Sequence, residues 1–359
     1  MLSDEEINIQ PYSLGKNEKK IFLNKHLTSL TKHHYEHCPE YKNILDSLNF
    51  DINEIKDYES IPFLPVRLFK NYELKSVIKE DVVKTLTSSG TTGQQVSKIF
   101  LDKQTSSMQS KILTKIVCSF LGKQRVPMII LDSSAVIKNR IMFSARGAGI
   151  LGFSIFGTDR LYALDENMQL NVDAIKAFLE KHKGETIFLF GFTFMIWQHF
   201  YKELKVNGYK PDLSNGVLIH GGGWKKLVSE AVNPQDFNKA LNDACGINHV
   251  YDYYGMVEQT GSICVECDCG HLHTSIFSDV ICRRPKDFSI CDYGEEGIIE
   301  VISVLPESYP GHVLLTEDTG VVLGEDDCPC GRKGKYFKIN GRIKNAEIRG
   351  CSDTYAAKF

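Results

Sequence analysis

The run Thr87-Ser-Ser-Gly-Thr-Thr-Gly93 gathers the hydroxyls of Ser88, Ser89, Thr91 and Thr92 around Gly90 and Gly93. Glycines let a backbone turn tightly with its N–H groups inward, and the hydroxyls can donate to phosphate oxygens. Lys98, just downstream, could add positive charge. The run does not fit G-x-x-x-x-G-K-[ST], so the nucleotide hydrolases built on that loop are excluded. The competing reading is a Ser/Thr/Gly-rich surface loop. A second concentration of chemistry is thiol. Cys264, Cys267 and Cys269 precede His271 and His273, and Cys328-Pro-Cys330-Gly331 follows further on. Thiolates beside glycine turns resemble a structural zinc site, although both pairs are spaced C-x-C rather than C-x-x-C. The first choice of ligands is Cys267, Cys269, Cys328 and Cys330, with His273 able to replace one; the alternative is a set of unmetallated buried thiols. A metal there would lock structure rather than react. His220 precedes Gly221-Gly222-Gly223 and could face a nucleotide or a carboxylate, but a strand-end histidine is more often a satisfied structural one.

These residues need elements to hold them. Short apolar runs predict buried strands at Val83–Leu86, Ile99–Leu101, Met128–Leu131, Phe153–Phe156, Ile187–Phe190, Val217–Ile219 and Val250–Tyr253. Helical stripes lie between them: Met108, Ile112, Ile116 and Phe120 form one, and Val172, Ile175, Phe178 and Leu179 another. That alternation predicts a largely parallel sheet covered on both faces, with ligands at the carboxyl ends of its strands. Four regions follow. Residues 1–80 are an α-rich lead-in, in which Ile21, Leu27, Leu30 and Tyr35 mark a helix stopped by Pro39, and Ile61–Val66 runs extended around its prolines. Residues 81–255 form an α/β nucleotide-binding portion. Residues 256–341 form a smaller β-rich lobe with strand-like runs at Gly297–Val304 and His312–Leu315, and 342–359 a short tail. The aromatic stretch Phe188–Trp197 suits an apolar slot for an acyl chain, or simple core packing.

Composition narrows the class. With 359 residues, 42% hydrophobic and 24% charged, the chain is of ordinary globular type. Its 42 Lys and Arg against 45 Asp and Glu leave a net charge of −3, without the basic surplus of a nucleic-acid binder. The polar start MLSDEEINIQPYSLGKNEKK reads as no signal peptide, and no apolar run is long enough to span a bilayer. The 11 Cys, odd in number and scattered, fit a reduced cytoplasmic protein better than a disulfide scaffold. Cys38, Cys118, Cys245, Cys282 and Cys291 read as packing.

Five motifs in order resemble the adenylate-forming superfamily: the hydroxyl turn at 87–93, Gly221-Gly222-Gly223, Tyr253-Tyr254-Gly255-Met256-Val257-Glu258, Thr316-Glu317-Asp318-Thr319-Gly320, and Gly341-Arg342. The strings at 221–226, 252–262, 308–312 and 347–353 are similar to the acyl-protein synthetases of bacterial bioluminescence, the long-chain fatty acid–protein ligases of the fatty acid reductase complex. The resemblance implies an α/β fold: the large domain of those enzymes, mostly parallel sheets covered by helices plus a β-rich lobe, with the small C-terminal domain truncated. It also implies ATP-dependent activation of a fatty acid as an acyl-adenylate. On that resemblance Ser88, Ser89, Gly90, Thr91, Thr92 and Gly93 hold phosphates and Glu258 holds Mg²⁺. Gly221, Gly222 and Tyr254 contact adenine, Gly255 belongs to the same ATP-binding set, Asp318 accepts from the ribose hydroxyls, and Arg342 lies at the hinge.

The same resemblance makes Cys351 the acyl-accepting thiol, in Arg349-Gly350-Cys351-Ser352-Asp353. Arg342, Lys344 and Arg349 would favour its thiolate, and Gly350 would let it reach in and out. The alternative is a free thiol in a frayed tail. Relatives carry a catalytic lysine on a C-terminal domain; Lys344 is a weak stand-in. The implied partner is an acyl-accepting reductase or acyltransferase, with a fatty acid as substrate and no nucleic acid or membrane span. Two other functions stay open: a truncated acyl- or aryl-CoA ligase of the phenylacetate-activating type, and a nucleotide-binding scaffold without catalysis.

Overall fold

The computed structural model describes residues 2–88, 95–122, 125–137 and 145–343. It divides into two compact units that do not follow chain order. Among the described residues the first is 2–88, 95–116 and 255–343; the second is 117–122, 125–137 and 145–254.

The second unit is a parallel sheet. From one edge its strands run Gly157–Leu164, Val126–Ser133, Ile187–Phe192, Gly216–Gly221 and His249–Tyr254. The inner strands are apolar without alternation and buried throughout, as a sheet covered on both faces requires. Strand order reverses beside Val126–Ser133: the next strand in sequence lies on one side of it, the one after on the other. Such a switch point parts the loops at the carboxyl ends. The covering helices carry local stop and start signals. Asn171 and Asn233 cap Val172–Lys181 and Pro234–Cys245 by accepting from Ala174 N (3.0 Å) and Asp236 N (2.8 Å). Gly246, at φ 75°, closes the latter helix with its N–H on Asn242 O. One expected strand is corrected here. Phe153 and Ser154 end the helix Ala145–Ser154, and the strand begins only at Gly157. A four-residue apolar run fits either periodicity, so its neighbours decide.

The first unit is antiparallel. Its strands lie in the order Ser278–Arg283, Glu296–Ser303, Val313–Glu325, Lys335–Arg342, Leu272–His273 and Cys264–Glu266. Leu64–Pro65 adds a short parallel pairing to Leu314–Leu315, in line with the extended run expected there. Helix Lys16–His37 packs here through both apolar and polar side chains. Phe22 meets Phe277, Thr31 Oγ1 lies 3.1 Å from His312 Nε2, and His34 Nε2 lies 3.0 Å from Pro306 O. Buried Lys19 donates to Thr274 Oγ1 at 2.8 Å. Ile21, one of the apolar residues that mark this helix in the sequence, is 71% exposed. Pro39 both follows that helix and opens the next, Pro39–Ser47. Among the described residues Val82–Thr87 pairs only with Lys98–Asp102, as a hairpin, and Val83 is 62% exposed; it is not the buried strand its apolar run predicts.

Candidate functional site

The hydroxyl-rich run begins where the first arm of that hairpin ends, at Thr87 and Ser88. Thr87 pairs with Lys98; beyond them Ser88 N donates to Ser97 O at 3.1 Å, and Ser97 N donates to Ser88 Oγ at 2.9 Å. Ser88 thus clasps the two ends of the turn, a role in addition to the phosphate contact expected of it. Ser89, Gly90, Thr91, Thr92 and Gly93 lie outside the described residues. Lys98 Nζ lies 3.4 Å from Glu73 Oε1 in an exposed pair.

In the second unit the glycine turn leaves the carboxyl end of Gly216–Gly221. A Cβ on Gly221 would lie 2.5 Å from the Tyr253 ring, and Gly222 has φ 76°, so both positions require glycine. The ring against Gly221 is that of Tyr253; Tyr254, the expected adenine contact, is the next residue and points to the opposite face of its strand. Thr193, unmarked by the sequence, ties the turn together. Its hydroxyl donates to Gly222 O at 2.8 Å and lies 3.0 Å from His220 Nδ1. Parallel register makes this contact, since Phe192 stands opposite Gly221 and Thr193 follows it. The His220 ring packs on Phe237, and burial drives its pKa down to about 3. Burial thus holds the ring in its neutral form. Nearby, Arg146 Nε lies 3.1 Å from Asp132 Oδ2, an ion pair at the carboxyl end of Val126–Ser133 that no motif announced. Burial outweighs the arginine and lifts Asp132 to about 6. Phe188, Phe190 and Phe192 of the aromatic stretch are fully buried.

In the first unit Glu258 is buried on the turn Val257–Gln259. The next side chain, Gln259, fixes that turn by donating to Val301 O (3.0 Å) and Gly311 O (2.8 Å). A buried carboxylate on a fixed turn suits a hard divalent cation such as Mg²⁺. Gly255 begins this segment. Asp318 and Arg342, far apart in sequence, are cross-strand partners, with Arg342 Nε 3.5 Å from Asp318 Oδ1. Thr316 Oγ1 accepts from Asp318 N at 3.1 Å and donates to Ile299 O at 2.7 Å, which sets the carboxylate's backbone.

The thiols converge, with one exchange. Cys267, His273, Cys328 and Cys330 bring their ligand atoms within 4.8 Å of one another. Cys269 is exposed and outside this group; His273, named as a substitute, takes the fourth place. Cys351 and Lys344 lie outside the described residues.

Comparison with known proteins bears on what these parts serve. The family profile described as "Acyl-protein synthetase, LuxE" matches residues 2–359. A long-chain-fatty-acid–luciferin-component ligase of Vibrio harveyi is 23% identical over 362 residues, covering 97% of this chain and 91% of the relative. The ligase of the same name from Aliivibrio fischeri is 23% identical over 371 residues, covering 96% and 90%. Among solved structures, a 2-hydroxyisobutyryl-CoA ligase with bound 2-HIB-AMP aligns over 94% of this chain and 70% of its own, with a TM-score of 0.69 at 13% identity, a likeness of fold. Among the described residues no helix is long and apolar enough to cross a membrane.

Proposed function

The chain belongs to the LuxE acyl-protein synthetase family, and from that premise we propose that it activates a fatty acid with ATP, captures the acyl group on Cys351 and hands it to an acyl-accepting protein. In the first step the fatty carboxylate attacks the α-phosphorus of ATP and pyrophosphate leaves. In the second the Cys351 thiolate attacks the acyl carbonyl and AMP leaves, giving a thioester. The first step brings two anions together, so alignment and charge neutralisation matter more than acid–base chemistry.

The residues take these parts. The hydroxyls and amides of Ser88, Ser89, Gly90, Thr91, Thr92 and Gly93 hold the departing phosphates. Glu258 holds Mg²⁺, which would neutralise phosphate charge. Asp318 accepts from the ribose, steadied by Arg342; Gly221, Gly222, Tyr254 and Gly255 receive the adenine. The acceptor is an acyl reductase or acyltransferase. What carries the reading is that one family match runs from the hydroxyl turn through Cys351.

The test is incubation of the full chain with ATP, Mg²⁺ and labelled tetradecanoic acid, followed by a non-reducing gel. Label should remain on the protein, leave with neutral hydroxylamine and vanish in Cys351→Ala. Equal labelling of Cys351→Ala would sink the proposed acceptor. Pyrophosphate released only when coenzyme A is added would instead mark a CoA ligase, and nucleotide binding with no pyrophosphate at all a scaffold.

A further inference from the structure

The first unit contains two turns of the same sequence form, Cys267-Asp-Cys-Gly270 and Cys328-Pro-Cys-Gly331. Both are closed alike: Gly270 N donates to Cys267 O at 2.8 Å with φ 73° at the glycine, and Gly331 N donates to Cys328 O at 3.0 Å with φ 81°. The turns face each other, with Cys267 Sγ 3.9 Å from Cys328 Sγ, although 61 residues separate them. Cys330 Sγ lies 3.4 Å from Nε2 of fully buried His273. From these four ligand atoms we infer a closed structural zinc site of three thiolates and one imidazole: Cys267, Cys328, Cys330 and His273.

The distances suit the ion. Tetrahedral zinc with bonds of about 2.3 Å to sulfur and about 2.0–2.1 Å to nitrogen sets sulfurs about 3.8 Å apart and sulfur about 3.5 Å from nitrogen. Backbone amides also aim at the sulfurs: those of Cys269 and His271 at Cys267, of Cys330 at Cys328, and of Arg332 at Cys330. N–H groups so placed are the outer contacts that orient the sulfur ligands of a metal site. His271 Nδ1, 3.4 Å from Cys328 Sγ, adds a further contact from outside the set. Three thiolates and Zn²⁺ sum to one negative charge, and Arg332, over the Tyr12 ring at 5.4 Å, supplies a neighbouring cation. Soft sulfur ligands with no open position favour zinc in a structural role over Mg²⁺ or Ca²⁺. The site is independent of the proposed acyl transfer.

Metal analysis of the purified full chain tests this. The expected content is about one zinc per chain, retained in Cys269→Ser and lost in Cys330→Ser and His273→Asn. Because those variants could misfold, the wild-type chain is also stripped with a chelator and titrated with Co²⁺. Thiolate-to-cobalt charge-transfer bands and intense tetrahedral d–d bands are expected. Wild-type protein that carries no zinc and gives no such bands overturns the site, as does Cys269→Ser losing metal as fully as Cys330→Ser. An intact mass lacking two hydrogens, with Cys267 joined to Cys328, would overturn it in favour of a disulfide.

Discussion

Asp318 and Arg342 illustrate what single residues reveal. Both were legible as members of motifs, through the resemblance of Thr316–Gly320 and Gly341-Arg342 to those of a known family. Their partnership was not legible, because it depends on strand register. The pair itself adds little stability, since Arg342 is largely solvated and such ion pairs contribute about 0–1 kcal/mol. A ribose hydroxyl donating to a carboxylate is worth more, about 1.5–3 kcal/mol. Asp318→Ala should therefore raise the KM for ATP in pyrophosphate release by roughly 10- to 150-fold while leaving the melting temperature nearly unchanged. A KM within twofold of wild type would remove Asp318 from the nucleotide site. Thr193 and His273 were harder to read. Nothing near Thr193 in sequence marks it, and its function as a tether arises because adjacent parallel strands end level. His273 supplants Cys269 because a two-residue strand directs it inward, whereas Cys269 sits on the outside of its turn.

Elements were most legible where the pattern was long. The helices Lys103–Leu121 and Val172–Lys181 and the inner parallel strands follow directly from apolar periodicity. Short runs misled: Phe153–Phe156 belongs largely to a helix end, and Val82–Thr87 is an exposed hairpin arm. Helix Lys16–His37 was visible as a helix, but its buried face was not. Lys19, His26, Thr31 and His34 are buried with polar partners, so hydrophobicity alone does not mark that face. Gly320 marks a further limit. It reads as a turn residue but lies within the strand Val313–Glu325, where an added Cβ would stand 2.3 Å from Lys338 O. Backbone cannot yield as a side chain can. Gly320→Ala should cost more than about 2 kcal/mol and lower the melting temperature by at least about 4 °C, read by thermal unfolding. An unchanged melting temperature would show that the two strands can part there.

At the scale of the whole molecule, buried histidines set the response to acid. Burial lowers the pKa of His220 and His312 to about 3 each and that of His34 well below its ordinary value. Between about pH 6.5 and 3 the unfolded chain therefore takes up protons that the folded chain refuses. Stability is present above that window and is lost as the pH falls into it, by about 1.4 kcal/mol per pH unit for each such histidine. Asp132, raised to about 6, and Glu300, also raised by burial, oppose the trend but are outnumbered. Urea unfolding should show a marked fall in stability from pH 7 to pH 5, and a flat profile would contradict the burial of these rings. The first unit also joins segments that synthesis separates. Thr31 meets His312 across 281 residues. At about 5–20 residues per second a ribosome needs roughly 15–55 s to cover that span. For that time the emerging N-terminal helix has Leu23, Leu27 and Leu30 without their final cover. A nascent chain of this design is exposed to chaperones early, and it commits to the native topology of this unit only after His312 has been made.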